Sequence, residues 1–278
     1  MKKQMVILCL ACLTIIAILF FVFWGEGIRA TPKIEATSAL VINTKSEEPI
    51  FKQGENEVVP IASLTKLMTA YLVLEAVHKK TISWSEVLPL KRLDDPRAVS
   101  LYAQTGTKYY TVQDLFAAML IMSANDAAEA LAERLDGTDF IKNMNAKAKA
   151  IGMSSETKYG SASGLDEAGE TSVSTANDLL TLSKRLIQDF PEVLDITSRT
   201  EYVIQKGSTI HTTNQVLAKG SVDGMDGLKT GFTDQAGYCL IATAVQNGER
   251  VIAITLGSKT DGARAKAVEK LMDYGFSK

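Results

Sequence analysis

Histidine, cysteine and excess positive charge are scarce in this sequence. Its 278 residues include two histidines and three cysteines, and the formal net charge is −2. A nucleic-acid partner is therefore not expected, because binding a phosphate backbone requires a basic surface. His78 and His211 are isolated in the sequence, so neither a zinc site nor a histidine-based catalytic triad is expected. We predict that the protein needs no metal and no organic cofactor.

The cysteines are placed so that an internal disulfide is not expected. Cys9 and Cys12 lie inside an N-terminal apolar segment, which leaves Cys239 in the rest of the chain. One cysteine cannot form a bridge within that part of the chain. The residues before Cys9 and Cys12 make a poor lipobox, so packing in a membrane explains these two cysteines better than lipidation.

An almost unbroken apolar run from Met5 to Trp24 follows Lys2 and Lys3. A helix needs roughly 20 apolar residues to cross a bilayer, whereas the core of a cleaved signal peptide has about 7 to 15. The length favours a retained membrane anchor, and cleavage at a weak site ending in Ala30 is the alternative. The positive charge before the run predicts that the N-terminus stays in the cytoplasm and that the rest of the chain lies outside.

Beyond this segment, the first half of the chain changes from strand-like to helix-like patterns. Residues 37–43 and 50–53 flank a polar turn and predict a hairpin. Helical periodicity covers residues 61–77, and the pattern indicates burial on most sides. Two more helices are predicted, one starting near Thr111 with Asp114 as its capping partner, and one over residues 126–135.

The second half of the chain starts with an irregular loop and ends with strands and a helix. Residues 152–171 are rich in Gly and Ser and predict a loop, after which Ser174 is expected to cap a helix that reaches Ile187. Residues 202–205 and 209–217 predict a strand pair. Apolar runs on both sides of Asn247-Gly248 predict a hairpin, formed by residues 238–245 and 250–256, and a last helix covers residues 263–274. This order predicts an antiparallel sheet that carries helices, with an inserted helical subdomain.

Three short motifs bring hydroxyl, amine and amide groups into the chain in a fixed order. They are Ser63-Leu64-Thr65-Lys66, Ser123-Ala124-Asn125 and Lys229-Thr230-Gly231. Each motif alone is weak, since Ser155-Glu156-Thr157-Lys158 repeats the first pattern in the predicted loop. The interpretation therefore depends on their order and on the elements that carry them.

Ser63 and Lys66 are three residues apart at the start of a predicted helix, so their side chains share one face. Unpaired backbone N–H groups at that end favour developing negative charge. Burial of Lys66 would lower the pKa of its amine, and a neutral amine can accept the proton of the serine hydroxyl. The alternative is a capping serine followed by a lysine that reaches water.

The other two motifs have similar pairs of interpretations. Ser123 can pass a proton between Lys66 and a leaving amine, and the Asn125 amide can hold substrate and lysine, or either residue can simply cap a helix. Lys229 and Thr230 can bind a carboxylate on a predicted strand where Gly231 lets substrate lie close to the backbone. The alternative for Lys229 is a solvated lysine on an edge strand.

Together the three motifs resemble the penicillin-binding protein and serine β-lactamase superfamily. Residues 226–240 are similar to the low-molecular-weight D-alanyl-D-alanine carboxypeptidases, as are residues 163–166, 174–178 and 270–276. The resemblance covers roughly residues 37–276. It implies an α+β fold with a five-stranded antiparallel sheet, flanked by helices and interrupted by a helical subdomain. The implied organisation is an anchor or signal segment (1–25), a linker (26–36) and a catalytic serine acyl-transferase domain (37–278).

The resemblance also implies a role for each matching residue. Ser63 is the implied nucleophile, Lys66 its base, and Ser123 and Asn125 the proton relay and substrate clamp. The implied carboxylate binders are Lys229 and Thr230, beside Gly231, and the backbone N–H groups of Ser63 and Phe232 form the implied oxyanion hole. Arg264 matches an arginine near the carboxylate site, although a charged outer face of the last helix explains it as well.

The implied activity is removal of the terminal D-alanine from peptidoglycan stem peptides at the outer face of the bacterial membrane, with β-lactam antibiotics as covalent inhibitors. The alternatives are a D,D-endopeptidase, a β-lactamase and an inactive wall-binding scaffold. A β-lactamase of class A needs a Glu-x-x-Leu-Asn pattern, which does not occur between Ser123 and Lys229. Family members often carry a C-terminal β-rich domain with a membrane helix, so here the tether is expected at the N-terminus. Ser161-Ala162-Ser163 also departs from an Asn-Pro type sequence in relatives.

Overall fold

The structure is a computed structural model that describes residues 30–46, 48–165, 169–205 and 207–277. The predicted membrane anchor over residues 1–25 lies outside these residues. Within the described ranges, no helix is long and apolar enough to span a bilayer. The predicted division into anchor, linker and catalytic domain therefore stays a prediction.

The described residues begin with strands, continue with a mostly helical block, and end with three long strands and a helix, which is the coarse order that the sequence predicts. The strands are β1 (Ser38–Asn43), β2 (Phe51–Gln53), β3 (Val59–Pro60), β4 (Val87–Pro89), β5 (Tyr109–Thr111), β6 (Val173–Ser174), β7 (Glu201–Val203), β8 (Thr209–His211), β9 (Met225–Thr233), β10 (Gly237–Gln246) and β11 (Glu249–Ser258). The α-helices are α1 (Lys66–His78), α2 (Leu101–Thr105), α3 (Val112–Ile121), α4 (Asn125–Leu135), α5 (Phe140–Ala150), α6 (Ala176–Asp189), α7 (Val193–Thr197), α8 (Gln215–Lys219) and α9 (Asp261–Phe276). Two 3₁₀ turns cover Ala62–Thr65 and Gly137–Asp139.

The central sheet has five strands in the order β2-β1-β11-β10-β9, and each neighbouring pair is antiparallel. This confirms the predicted α+β fold with a five-stranded sheet. The hairpin of β10 and β11 turns at Asn247 and Gly248, which both have positive φ, as the Asn-Gly signal predicts. Strand β9 pairs with β10 at the sheet edge, and this placement leaves its other side facing the helical subdomain.

Side chains alternate along the strands and supply two apolar cores. Leu40 and Ile42 of β1 pack with the helical subdomain, which lies between β2 and β9 in the chain. Val41 packs with the opposite core, where Val268 and Leu271 of α9 cover the other face of the sheet. Helix α1 lies in the larger core and is buried along most of its length, so its apolar sequence is explained by neighbours on several sides.

Two local predictions are wrong in detail. Thr175, and not Ser174, caps α6, because its hydroxyl accepts a hydrogen bond from the Asp178 N–H, while the Ser174 hydroxyl contacts that of Thr157. The predicted strand over residues 209–217 ends at His211. The Asn214 side chain then caps the short helix α8. The prediction of a strand followed the apolar pattern of these residues and overlooked the preference of Asn for helix caps.

Candidate active site

Ser63 and Lys66 lie where a 3₁₀ turn continues into helix α1. The Lys66 Nζ lies 2.8 Å from the Ser63 Oγ and donates a second hydrogen bond of 2.6 Å to the Ser163 carbonyl. Lys66 is fully buried, so the alternative of a lysine that reaches water is wrong. The second Ser-x-x-Lys pattern differs, because Ser155 and Lys158 are both exposed in a loop.

Burial changes the protonation of this lysine. It lowers the pKa of the Lys66 amine to about 7, and the carboxylates of Glu129 and Asp126 oppose the shift by favouring the charged form. Near neutral pH, a substantial fraction of the amine is therefore neutral. A neutral amine 2.8 Å from a hydroxyl can accept its proton, which is the chemistry that an attacking serine needs.

Strand β9 packs directly against the turn that carries Ser63. A Cβ atom on Gly231 would lie 3.0 Å from the Ile61 carbonyl oxygen and 3.3 Å from the Ser63 nitrogen. A side chain here would push the strand away from the reactive hydroxyl. Glycine is therefore the residue that lets the late motif and the first motif meet, which is a different contact from the predicted approach of substrate to this backbone.

Lys229 and Thr230 are buried on β9, next to this contact. The Lys229 Nζ donates a hydrogen bond of 2.9 Å to the Thr230 carbonyl, and Lys229 is 1% exposed, so the alternative of a solvated edge lysine is wrong. Burial lowers the pKa of Lys229 well below its ordinary value, and the nearby charges of Lys66 and Arg264 add to this effect. The Thr230 hydroxyl lies 2.5 Å from that of Thr213, a residue that the sequence did not single out.

The middle motif forms the junction of α3 and α4. Ser123 is buried with φ +67°, and Asn125 is buried at the start of α4. Asn125 is joined to Val99 twice: its N–H donates to the Val99 carbonyl at 2.7 Å, and its side-chain oxygen accepts from the Val99 N–H at 3.2 Å. The side-chain oxygen of Asn125 thus holds Val99, while the Ser163 carbonyl holds Lys66.

Arg264 lies on the inner side of α9. It is 5% exposed and donates to the Cys239 carbonyl at 3.2 Å and to the Gly231 carbonyl at 3.5 Å, and it forms an ion pair with Asp261. The alternative of a charged outer helix face is therefore wrong. Burial lowers the pKa of the Arg264 guanidinium, although Asp261 favours its charged form. The guanidinium lies close to the strand that carries Lys229 and Thr230.

A cleft of about 380 Å³ opens beside the Ser63 hydroxyl. Ser63, Asn125 and Phe232 line it, together with Arg97, Val99 and Gln235, which the sequence did not single out. Lys66, Lys229 and Arg264 are buried and do not line it. Among the described residues, no group of three or more His, Cys, Asp or Glu side chains is arranged to hold a metal ion.

Asp126 fastens one wall of this cleft to the start of α4. Its carboxylate accepts hydrogen bonds from the Ser100 hydroxyl at 2.7 Å and from three backbone N–H groups at 2.8 to 3.0 Å. Two of these N–H groups belong to Leu101 and Tyr102, which directly follow the Val99 wall. No sequence motif pointed to this contact, because it joins residues about 25 positions apart.

We expect Asp126→Asn to loosen this wall and to change the protonation of Lys66. An amide cannot accept all four hydrogen bonds, so we expect a loss of about 2 kcal/mol in the free energy of unfolding and a higher KM for substrate. Removing the negative charge lowers the Lys66 pKa further, so the acid limb of the pH–rate profile should move to lower pH. Thermal unfolding and pH–rate profiles measure these effects. Asp136→Asn, at the other end of α4, is the control, and an unmoved acid limb would contradict the electrostatic part.

The architecture and the serine–lysine pair define a class of protein: this is the penicillin-binding fold of the D,D-peptidases. A family profile described as D-alanyl-D-alanine carboxypeptidase matches residues 26–260. The chain belongs to the D-alanyl-D-alanine carboxypeptidase family.

Similarity to individual proteins supports this family assignment. The chain is 53% identical to penicillin-binding protein D2 from Listeria monocytogenes, solved in its cefotaxime-bound form, with a TM-score of 0.86 over 89% of this chain and 100% of that one. It is 31% identical to the D-alanyl-D-alanine carboxypeptidase DacF of Bacillus subtilis over 87% of this chain, and it spans 62% of the length of that relative. It is also 31% identical to a D-alanyl-D-alanine endopeptidase of Pseudomonas aeruginosa, over 90% of this chain and 81% of the relative.

Proposed function

We propose that this protein is a serine-type D-Ala-D-Ala carboxypeptidase that acts on peptidoglycan stem peptides. The observation that carries the proposal is the 2.8 Å contact between the Ser63 hydroxyl and the buried amine of Lys66, beside an open cleft. The names of the relatives support the same activity. Two contacts of the proposed site residues were not predicted from the sequence. The Ser163 carbonyl accepts a hydrogen bond from Lys66, and the Thr213 hydroxyl contacts that of Thr230.

In the first step, the Ser63 oxygen attacks the carbonyl carbon between the two D-alanines while its proton passes to the Lys66 amine. The developing oxyanion is held by the N–H groups of Ser63 and Phe232, and such donors are typically worth about 3 kcal/mol each. The C–N bond then breaks, and the leaving amine takes a proton that Lys66 supplies through the Ser123 hydroxyl. The products are free D-alanine and an acyl ester on Ser63.

In the second step, water attacks the ester carbonyl and gives a proton to Lys66. The bond between the acyl group and the Ser63 oxygen then breaks, Lys66 returns the proton to that oxygen, and the shortened peptide is released. During the first step the terminal carboxylate is held by Lys229 and Thr230, which lie beside Gly231 on β9. A charged carboxylate near Lys229 favours the ammonium form of that lysine, against the effect of burial. Arg264 adds positive charge behind the same strand and acts here through the backbone of Gly231 and Cys239.

The proposed setting is the outer face of the bacterial membrane, where the N-terminal apolar run serves as an anchor. Peptidoglycan stem peptides are the substrates and β-lactam antibiotics are the covalent inhibitors. The cefotaxime-bound form of the Listeria monocytogenes relative supports the proposal that β-lactams bind to this protein. The hydropathy of residues 5–24 supports the proposed membrane anchor, and signal cleavage after Ala30 is the alternative.

Ser63→Ala tests the proposed nucleophile. We expect the wild-type protein to release D-alanine from a pentapeptide ending in D-Ala-D-Ala, and the variant to release it at least about 10³-fold more slowly, because no acyl ester can form. Coupled detection of free D-alanine measures both rates. Ser155→Ala, in the second Ser-x-x-Lys pattern, is the matched control. Absence of D-alanine release by the wild-type protein would instead favour a wall-binding scaffold.

Benzylpenicillin should acylate Ser63 and be released slowly. The chain lacks the Glu-x-x-Leu-Asn pattern with which a class A β-lactamase activates its deacylating water. Intact mass spectrometry should therefore show a stable adduct of one penicillin per protein, absent from Ser63→Ala. Rapid multiple-turnover hydrolysis of penicillin would contradict the carboxypeptidase interpretation and favour the β-lactamase.

A D,D-endopeptidase is the second candidate, because one of the relatives carries that name. The same serine and lysine can cut a D-Ala bond at a chain end or in a cross-link. Parallel assays with a pentapeptide and with a cross-linked muropeptide dimer separate the two activities. Faster cleavage of the dimer would favour the endopeptidase.

A further inference from the structure

A second groove adjoins the cleft at the tip of the β9–β10 hairpin. Its volume is about 540 Å³, and it shares the residues Phe232, Asp234 and Gln235 with the cleft beside Ser63. Its other walls include Tyr238, Ser258 and Lys259. A volume of this size falls within the usual range of ligand sites. We call it the second groove.

The order of residues along β9 determines which part of a substrate lies near the second groove. Gly231 packs against the Ser63 turn, so the bond to be cut lies beside it. The proposed carboxylate binders, Lys229 and Thr230, precede Gly231, so the acyl part of the substrate must extend in the other direction, along Phe232 and Thr233. An extended chain advances about 3.3 Å per residue, so roughly three residues reach the hairpin turn. Residues farther from the cut bond then meet the second groove.

Phe232 and Tyr238 form the boundary between the two cavities. Their ring centroids are 4.3 Å apart, and Phe232 is 49% exposed although it packs on Tyr238. A half-exposed aromatic ring held by a second ring presents a rigid apolar surface to a passing chain. The boundary thus favours a peptide that bends over Phe232 rather than one that leaves into solvent.

The exposed charged side chains of the second groove include one anion, Asp234, and one cation, Lys259, and the cation suits a peptide that carries a carboxylate. Lys259 is exposed on one wall, whereas the neighbouring Ser258 is fully buried. The close continuity with the cleft favours peptide over sugar, since the groove starts about three residues from the cut bond.

We propose that the second groove binds the amino-terminal part of the acyl peptide, from about the fourth residue before the cut bond, and that Lys259 pairs with a carboxylate there. The proposal rests on the proposed function, because the direction of the substrate follows from the roles of Ser63, Lys229 and Thr230. It makes the second groove the part of the site that selects long stem peptides over short ones.

The test compares two acetylated peptides that end in D-Ala-D-Ala, with two and with five residues before the cut bond, the longer one carrying a free carboxylate near its amino end. We expect the wild-type protein to cleave the longer peptide with a kcat/KM about tenfold higher, the size of one hydrogen bond to a charged group. Lys259→Glu and Lys259→Trp should bring the ratio of the two values close to one. Lys149→Glu and Lys149→Trp, at an exposed lysine of α5, are the matched controls and should keep the wild-type ratio.

A wild-type ratio near one, or a ratio that both Lys259 variants leave unchanged, would overturn the proposal. The same longer peptide attached to a disaccharide shows whether sugar is recognised instead, and a gain that requires the disaccharide also overturns it. Binding of both peptides to Ser63→Ala, measured by calorimetry, separates this proposal from the proposed function. If the wild-type protein releases no D-alanine but Ser63→Ala binds the longer peptide more tightly, and Lys259→Glu removes that preference, only the proposed function fails.

Discussion

Lys66→Arg is expected to slow acylation of Ser63 about 10²- to 10⁴-fold, the usual contribution of a general base. The guanidinium group stays protonated at every relevant pH, so it cannot accept the serine proton. The longer side chain must also fit a position that is fully buried and already bonded to Ser63 and Ser163. Stopped-flow acylation by a fluorescent penicillin measures the rate, with Lys158→Arg as the control in the second Ser-x-x-Lys pattern. An acylation rate within threefold of wild type, about 0.7 kcal/mol, would exclude Lys66 as the base.

The same amine predicts the pH dependence of the wild-type protein. Its pKa is lowered to about 7, so the ammonium form predominates below pH 7 and the neutral form above it. Since the neutral form is the base, the acylation rate should rise with pH through about 7 and level off above it. Glu129 and Asp126 on α4 hold the pKa up, and the facing Lys229 on β9 is coupled to Lys66 by repulsion. A rate that is flat between pH 5.5 and 8.5 (that is, about 1.5 units on either side of the pKa) would contradict this assignment.

Gly164→Ala is expected to damage both folding and acylation. Gly164 has φ +75°, and a Cβ atom there would lie 2.0 Å from the Ala62 carbonyl oxygen, a backbone atom of the turn that carries Ser63. The loop must therefore move away from the turn, and the neighbouring Ser163 carbonyl moves with it, so Lys66 loses a hydrogen bond. We expect a loss of about 2 kcal/mol or more in the free energy of unfolding and roughly a 10²-fold slower acylation.

Gly169→Ala is the matched control for this change. Gly169 also has positive φ, at +83°, but nothing lies within 4 Å of a Cβ atom placed there. Its substitution should cost only the backbone strain, about 1 kcal/mol, and leave acylation unchanged. Urea unfolding and the fluorescent penicillin assay measure both variants. Equal losses in the two variants would show that backbone strain, and not the contact with Ala62, explains the effect.

Much of the fold could be predicted because its signals are local. The apolar runs around Asn247 and Gly248 predict a hairpin, and Thr111 with Asp114 predicts the start of α3. Helix α5 was not predicted. The strand assigned to residues 209–217 was wrong beyond His211, because the apolar pattern there favours a strand whereas Asn214 favours the start of a helix. Local patterns cannot decide between competing signals of similar strength.

In the candidate site, too, contacts within one element could be predicted from the sequence, and contacts between elements could not. Ser63 and Lys66 could be paired from the sequence, since residues three positions apart on a helix share one face. Val99 could not be connected with Asn125, nor Thr213 with Thr230, because those contacts join separate elements. The roles of the predicted site residues stay proposals that the variants described above test.

The amino-acid sequence by itself determined the chemical groups, their order and the elements that carry them: a serine and lysine at a helix start, a junction between two helices, and a glycine-containing strand. Only the tertiary structure decided that the Ser163 carbonyl holds Lys66, that Asp126 fastens the Val99 wall, and that a second groove continues the cleft. The physical reason is distance along the chain. Ser163 and Lys66 are 97 residues apart, and only the packing of loop, helix and strand around one buried amine brings them together.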